Sequence, residues 1–167
     1  MSSLPMSKTM NRVYSSFLIL LLSVAVATGC KAQPAQLIEL DAFPKGTLDI
    51  QSAKQTHHFD IWLAQTPAQQ QQGLMFVRDL AENRGMLFLA EKPRVFNMWM
   101  MNTYIPLDMV FIGSDGRIAK IAERTTPHST AIVSSDVAVG AILELKGGEA
   151  ARRELRTGDK VAWHISH

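Results

Sequence analysis

The chain has 167 residues, with 17 Lys+Arg against 15 Asp+Glu and a single Cys. That length suits one domain. The near balance of charge gives no sign of the basic face that nucleic-acid binding needs, and one Cys excludes an internal disulfide framework, so the fold must stand on its hydrophobic core.

Lys8 and Arg12 precede an uncharged run, Val13 to Gly29, which ends in Ala27-Thr28-Gly29 before Cys30. A basic start, a short apolar run and a small-residue end are the parts of a secretory signal. A membrane span wants about 20 apolar residues, and this run is shorter and holds several Ser. Cys30 directly after Ala-Thr-Gly resembles the lipobox of bacterial lipoproteins, where that Cys becomes the acylated first residue. Residues 1–29 are therefore expected to be a lipoprotein-type signal peptide, and lipidation at Cys30 is the expected attachment to the membrane. Lys31, in place of Asp, resembles the pattern sent to the outer membrane, which predicts a cell-envelope protein on its periplasmic face. Met10 offers a second start, because "MNRVYSSF" is a complete basic leader by itself. Without residues 1–29 the charges are 15 Lys+Arg (17 less Lys8 and Arg12) against 15 Asp+Glu.

Residues 30–46 contain two Pro and a Gly with no sustained period, and read as a tether. One β-rich domain is expected over 47–167. "TLDIQSA" and "HHFDIWLA" alternate apolar and polar, with Phe59, Ile61 and Leu63 on one face, and predict a hairpin. In this reading His57 and His58 point to opposite faces. Thr66-Pro67-Ala68-Gln69 has an N-cap, a Pro at the first helical position and a capping-box Gln, so a helix is predicted from there to about Gly73–Phe76. "GMLFLA" from Gly85 reads as a strand, and so does the stretch after Pro93. "DMVFIG" runs into Ser114-Asp115-Gly116-Arg117, a hairpin turn signal, and "RIAKIAER" pairs back. "VAVGAILEL" is a further strand. "GGEAARRELRTGDKV" predicts a short helix closed by Gly158, followed by a last strand, "KVAWHIS". The expected class is α+β, mostly β: a small barrel-like domain of seven to eight short strands with one or two short helices.

"GLMFVRDL", "RGMLFLA", "MWMMNTYIPLDMVFI", "GRIAKI" and "ILEL", then Gly158-Asp159, stand in an order and spacing that resemble the domain of unknown function 192 family (uncharacterised protein family 0127). The resemblance covers roughly residues 43–165. Its most specific piece is met by Trp99, Met100, Asn102, Thr103, Ile105, Pro106, Leu107 and Asp108. The resemblance implies a compact β-rich domain and supplies no activity. Met101 stands where the family usually has Lys. Val77 stands where many members have Arg, with Arg78 one residue on.

Three chemistries are open to these residues. Met75, Met86, Met98, Met100, Met101 and Met109 offer thioethers, which suit Cu(I), although Met is also an adaptable core filler. In an extended strand Met98 and Met100 face one way and Trp99 and Met101 the other, so one strand cannot gather them. Asp108 and Glu144 lie beside or within apolar strands, a setting that perturbs acids at active sites. Such a pair beside Trp99 could hydrolyse an envelope polymer, provided that the carboxyl groups share a pocket. The alternative for Asp108 is to accept backbone N–H bonds at the Ile-Pro-Leu turn. Ser129 beside His128 lacks a nucleophile elbow. No metal and no cofactor is expected. The favoured reading is an envelope lipoprotein domain that binds a small polar ligand or envelope component without catalysis. Its candidate ligand-binding residues are Arg78, Trp99, Asn102, Thr103, Asp108 and Glu144, gathered where the 99–108 loop meets the Gly73–Arg78 turn. The competing readings are the hydrolase and a copper-handling protein.

Overall fold

The computed structural model describes residues 37–166. The leader, Cys30 and most of the predicted tether lie outside them. A 3-10 turn, Leu40–Ala42, leads into β1 (Lys45–Gln51) and β2 (Thr56–Ala64), which pair antiparallel. The predicted hairpin is present, and its alternation is visible in burial, with Leu48, Ile50, Phe59 and Ile61 inside. His57 is buried and His58 exposed, as their positions on the strand require. The end of the segment read as tether belongs to the packed domain. Phe43 is buried, and Ile38 exchanges two hydrogen bonds with the Gln72 amide, both at 2.7 Å.

Helix α1 (Pro67–Gln72) begins as predicted, with Thr66 and Gln69 forming the capping box. It ends at Gly73, whose φ of 51° suits glycine. The glutamine tract is used as structure. Gln69 caps the helix, Gln70 donates to the Ala64 and Leu89 carbonyls, and Gln72 holds Ile38. Only Gln71 is left facing solvent.

The chain then returns along the sheet, burying Leu74 and Leu80, to start β3 (Arg84–Arg94), which lies parallel to β2. The strand expected after Pro93 is reduced to β4 (Asn97–Met98), which pairs with β7 (Val133–Ser134) in a separate ribbon. β5 (Leu107–Ile112) and β6 (Ile118–Thr125) form the second predicted hairpin. β8 (Val139–Lys146) inserts between β5 and β3, and β9 (Lys160–Ile165) pairs with β1. The main sheet therefore has the order β6-β5-β8-β3-β2-β1-β9.

All seven strands of this sheet contribute to one core, with Val110, Leu143, Leu145 and Val161 among its members. The sheet curls until its edges touch at one end. There Ile118 N–H donates to the Asp159 carbonyl (3.0 Å) and Val161 N–H to the Gly116 carbonyl (2.8 Å). The edges do not pair beyond this point, so the fold is mostly β and curved but is not a closed barrel. A second core fills the opposite face, where Trp62, Phe88, Phe96 and Phe111 pack with Met86, Met100 and Met109. Both faces of β5 are therefore covered and all six of its residues are buried, which is why it reads as an unbroken apolar run.

The helix predicted over 147–158 is shorter. α2 spans Glu149–Arg152, and Glu154, at φ 54°, turns the chain out of it. Gly158 closes the following turn instead, at φ 97°. Its side is open, with nothing within 4 Å of where a Cβ would stand, so only backbone conformation opposes a side chain there. A β-branched residue at positive φ carries a cost of at least about 1 kcal/mol. Gly158→Val should lower the unfolding free energy by that much in urea denaturation. An unchanged midpoint would contradict the left-handed conformation.

Candidate functional site

The two acids occupy opposite faces of the sheet. Asp108 is the cross-strand neighbour of Leu145, in the first core, whereas Glu144 is the neighbour of Met86 and Met109, in the second. They share no pocket, so the hydrolytic pair does not exist. Asp108 is also fully engaged. Its carboxylate accepts from the backbone N–H groups of Arg124 (2.7 Å), Gly148 (2.9 Å) and Ala150 (2.8 Å). The N-cap of α2, Gly148, has no side chain to cap its own helix. Asp108 satisfies those orphan donors from a neighbouring strand. The backbone-acceptor role expected at the Ile-Pro-Leu turn is real, but its donors lie on β6 and the α2 turn.

Glu144 is the reverse case. Its side chain is buried, and among the described residues Oε2 has no hydrogen-bond partner. Burial pushes its pKa up to about 8, against a smaller opposing effect of the Leu74 backbone N–H. It lies under the Gly73 turn. A Cβ on Gly73 would stand 3.6 Å from Oε2 and 3.1 Å from the tip of Phe88. Burial therefore favours the neutral form of Glu144, which is wedged below the turn that leads to Arg78.

The strand ends at Met98, yet the placement expected of the next side chains holds: Met98 and Met100 pack in the second core, and Trp99 is exposed. Met100 is buried, and its Sδ accepts from the Thr125 hydroxyl at 3.1 Å. Met86 and Met109 are also buried and Met98 packs against the same core, which makes these thioethers apolar filling. Thr103 is buried, and its hydroxyl leans on the Met101 carbonyl at 3.4 Å. Asn102 has φ 57°, and its carbonyl accepts from Phe76 N–H at 2.9 Å. That bond joins the loop to the Gly73–Arg78 turn, as expected. The Arg78 guanidinium lies over the Tyr104 ring, 4.7 Å from its centre. The Ser129 hydroxyl accepts from Ala131 N–H (3.2 Å) and the His128 ring packs on Tyr104, so they form no nucleophile–base pair.

Trp99 stands apart from these residues. It is 45% exposed and lines an open groove of about 220 Å³ with Gln71, Phe88, Arg94, Phe96 and Asn97. Phe88 and Phe96 are buried and form an aromatic floor. The Arg94 guanidinium lies 3.7 Å from the centre of the Phe96 ring. Ile132, 58% exposed, immediately precedes β7, and the antiparallel β4–β7 pairing sets it beside Trp99, which follows β4. Sequence reasoning named Trp99 but missed Gln71, Arg94 and Asn97, because nothing local indicates that α1 lies beside the β4–β7 ribbon. Of the other candidates, Arg78, Asn102 and Thr103 meet at the loop junction, Glu144 lies beneath it, and Asp108 is on the far face.

The family model DUF192, described as an uncharacterized ACR, matches residues 48–163. No curated protein matches the chain. Similar crystal structures include the following two. One is a protein of Sinorhizobium meliloti 1021, provisionally described as a transcription regulator, with 42% identity, a TM-score of 0.71, and coverage of 72% of this chain and 95% of that one. The other is a protein of unknown function from Novosphingobium aromaticivorans DSM 12444, with 38% identity, a TM-score of 0.69, and coverage of 70% and 84%.

The buried acid has a measurable consequence. The folded state binds the Glu144 proton more tightly than the unfolded chain does, with a pKa of about 8 against an ordinary 4.5. Stability should therefore fall as pH rises from about 4.5 and stop falling once pH passes about 8, by at most about 5 kcal/mol. Glu144→Gln should remove that decline. Urea midpoints for both proteins between pH 4.5 and 9 test it. A stability difference that stays constant with pH would show that Glu144 does not carry the proton.

Proposed function

Since the chain belongs to the domain of unknown function 192 family, which names no activity, we propose from its surface that it is a non-catalytic binding domain of the cell envelope. The observation that carries this reading is the half-exposed Trp99 beside a groove with an aromatic floor and an amide rim. An aromatic wall stacks on the apolar face of a sugar or peptide, while Gln71, Asn97 and Arg94 offer hydrogen bonds to its polar edge. A small polar ligand or a fragment of an envelope polymer fits that chemistry. Hydrolysis by Asp108 and Glu144 is not supported, because the acids face different cores. The burial of Met86, Met100 and Met109 gives no support to copper handling. Residues 31–167 carry 15 charges of each sign, a balance that lends no support to nucleic-acid binding.

Soluble peptidoglycan fragments and chito-oligosaccharides are the probes for calorimetry. Wild-type protein should bind at least one of them, and Trp99→Ala should weaken it at least tenfold, the loss of a central aromatic contact. If no probe binds, or if Trp99→Ala binds equally well, the groove is not a binding site. Attachment to the membrane at Cys30 belongs to the same reading. One acyl chain holds only weakly, so more than one is expected there. Cells fed a clickable fatty acid should label wild-type protein but not Cys30→Ala. A Cys30→Ala protein that remains labelled and sediments with membranes would refute lipid attachment at this residue.

A further inference from the structure

A second exposed feature lies at the junction of three loops, and the groove does not account for it. Three non-glycine residues with left-handed backbone meet there: Phe76 (φ 66°), Asn102 (φ 57°) and His128 (φ 60°). A bulky aromatic in that region is a genuine outlier. Hydrogen bonds tie the loops together. Phe76 N–H donates to the Asn102 carbonyl (2.9 Å), His128 N–H to the Thr103 carbonyl (3.1 Å) and Met100 N–H to the Ser129 carbonyl (2.9 Å). Strain held in this way is concentrated where a protein pre-organises a ligand contact.

The strained turns present a particular set of side chains. Tyr104 is central. The Arg78 guanidinium is 4.7 Å from the Tyr104 ring centre, the His128 ring centre is at 5.2 Å, and the Phe76 ring stands edge-on at 6.0 Å. Among the described residues, no carboxylate pairs with Arg78. Its neighbour Asp79 is instead held by Lys146 at 3.2 Å. A guanidinium stacked on a ring is held in one plane and keeps its edge donors for a planar or tetrahedral oxyanion. The Tyr104 hydroxyl and the His128 imidazole supply further donors beside it.

We propose that Arg78, Tyr104 and His128 form a binding site for a small oxyanion, the phosphate or carboxylate group of a small-molecule ligand. The site is separate from the Trp99 groove and does not depend on it. Inorganic phosphate, glucose 6-phosphate and acetate, added at matched ionic strength to the isotope-labelled protein, distinguish phosphate from carboxylate by NMR. At least one probe should give saturable shifts confined to the amides of Phe76–Arg78, Tyr104 and His128. Arg78→Gln should weaken that binding at least tenfold. Arg156→Gln, an exposed cation elsewhere, and Trp99→Ala should leave it unchanged. If Arg78→Gln fails to fold, Tyr104→Phe and His128→Asn decide, and at least one must weaken binding threefold or more. Shifts that stay linear with every probe, or equal losses in Arg156→Gln and Arg78→Gln, would overturn the assignment in favour of diffuse surface charge.

Discussion

The architecture depends on how one buried carboxylate is satisfied. A charge taken out of water without partners costs many kcal/mol, and Asp108 is fully buried. Three backbone N–H groups compensate it, from Arg124, Gly148 and Ala150. These donors belong to the end of β6 and to the first turn of α2, so one side chain on β5 fixes the positions of both. The consequence for packing is direct. With its first turn held, α2 places Ala150, and the turn after it places Leu155, in the core to which all seven strands of the main sheet contribute. A helix of four residues has little stability of its own, and the acid supplies from outside the cap that Gly148 lacks.

Glu144 shows what happens to an acid on the other face, where comparable donors are missing. Both faces of the central strands β5 and β8 are buried, so neither acid can reach water. Asp108 meets a set of N–H groups at a helix start, while Glu144 meets Met86, Met109, Phe88 and the underside of a glycine turn. The first arrangement stabilises charge and the second opposes it. This is why two acids of similar sequence context have opposite roles, and why neither supports hydrolysis.

The legible parts of the sequence were the local ones. The capping box at Thr66–Gln69 and the alternation of β1 and β2 depend on residues a few positions apart, and both hold in the structure. Parallel pairing of β2 with β3 has no local signature, because it is decided by the path of the chain between them. The methionine-rich stretch departs from the strand expected after Pro93, because apolar composition alone does not require extension. Asn102, a residue that tolerates φ > 0, turns the chain at 101–102, and in this stretch only Asn97–Met98 form a strand. Gly158 was correctly read as left-handed but given to the wrong element, since Glu154 had already ended the helix. The donors to Asp108 lie 16, 40 and 42 residues away, beyond any local pattern. The junction of Arg78 with Asn102 was anticipated because the family-like motifs brought those two segments into question together.

The same parallel pairing explains why both candidate binding features share a region. Two parallel neighbours need a connection that returns along the sheet. Here that connection is α1 followed by residues 73–83, and Leu74 and Leu80 anchor it on the second core. This face is therefore roofed by a short helix and turns in place of a long amphipathic helix. A roof of turns leaves side chains such as Gln71 and Arg78 pointing away from the core, and its joints must be closed by hydrogen bonds to other loops. The Phe76–Asn102 bond is one such joint. The strain at Phe76, Asn102 and His128 lies in the roof, while the buried sheet beneath supplies the packing that holds it. A rigid sheet under constrained loops is the arrangement in which binding residues are commonly found, and here the path of the connection between β2 and β3 puts it on this face.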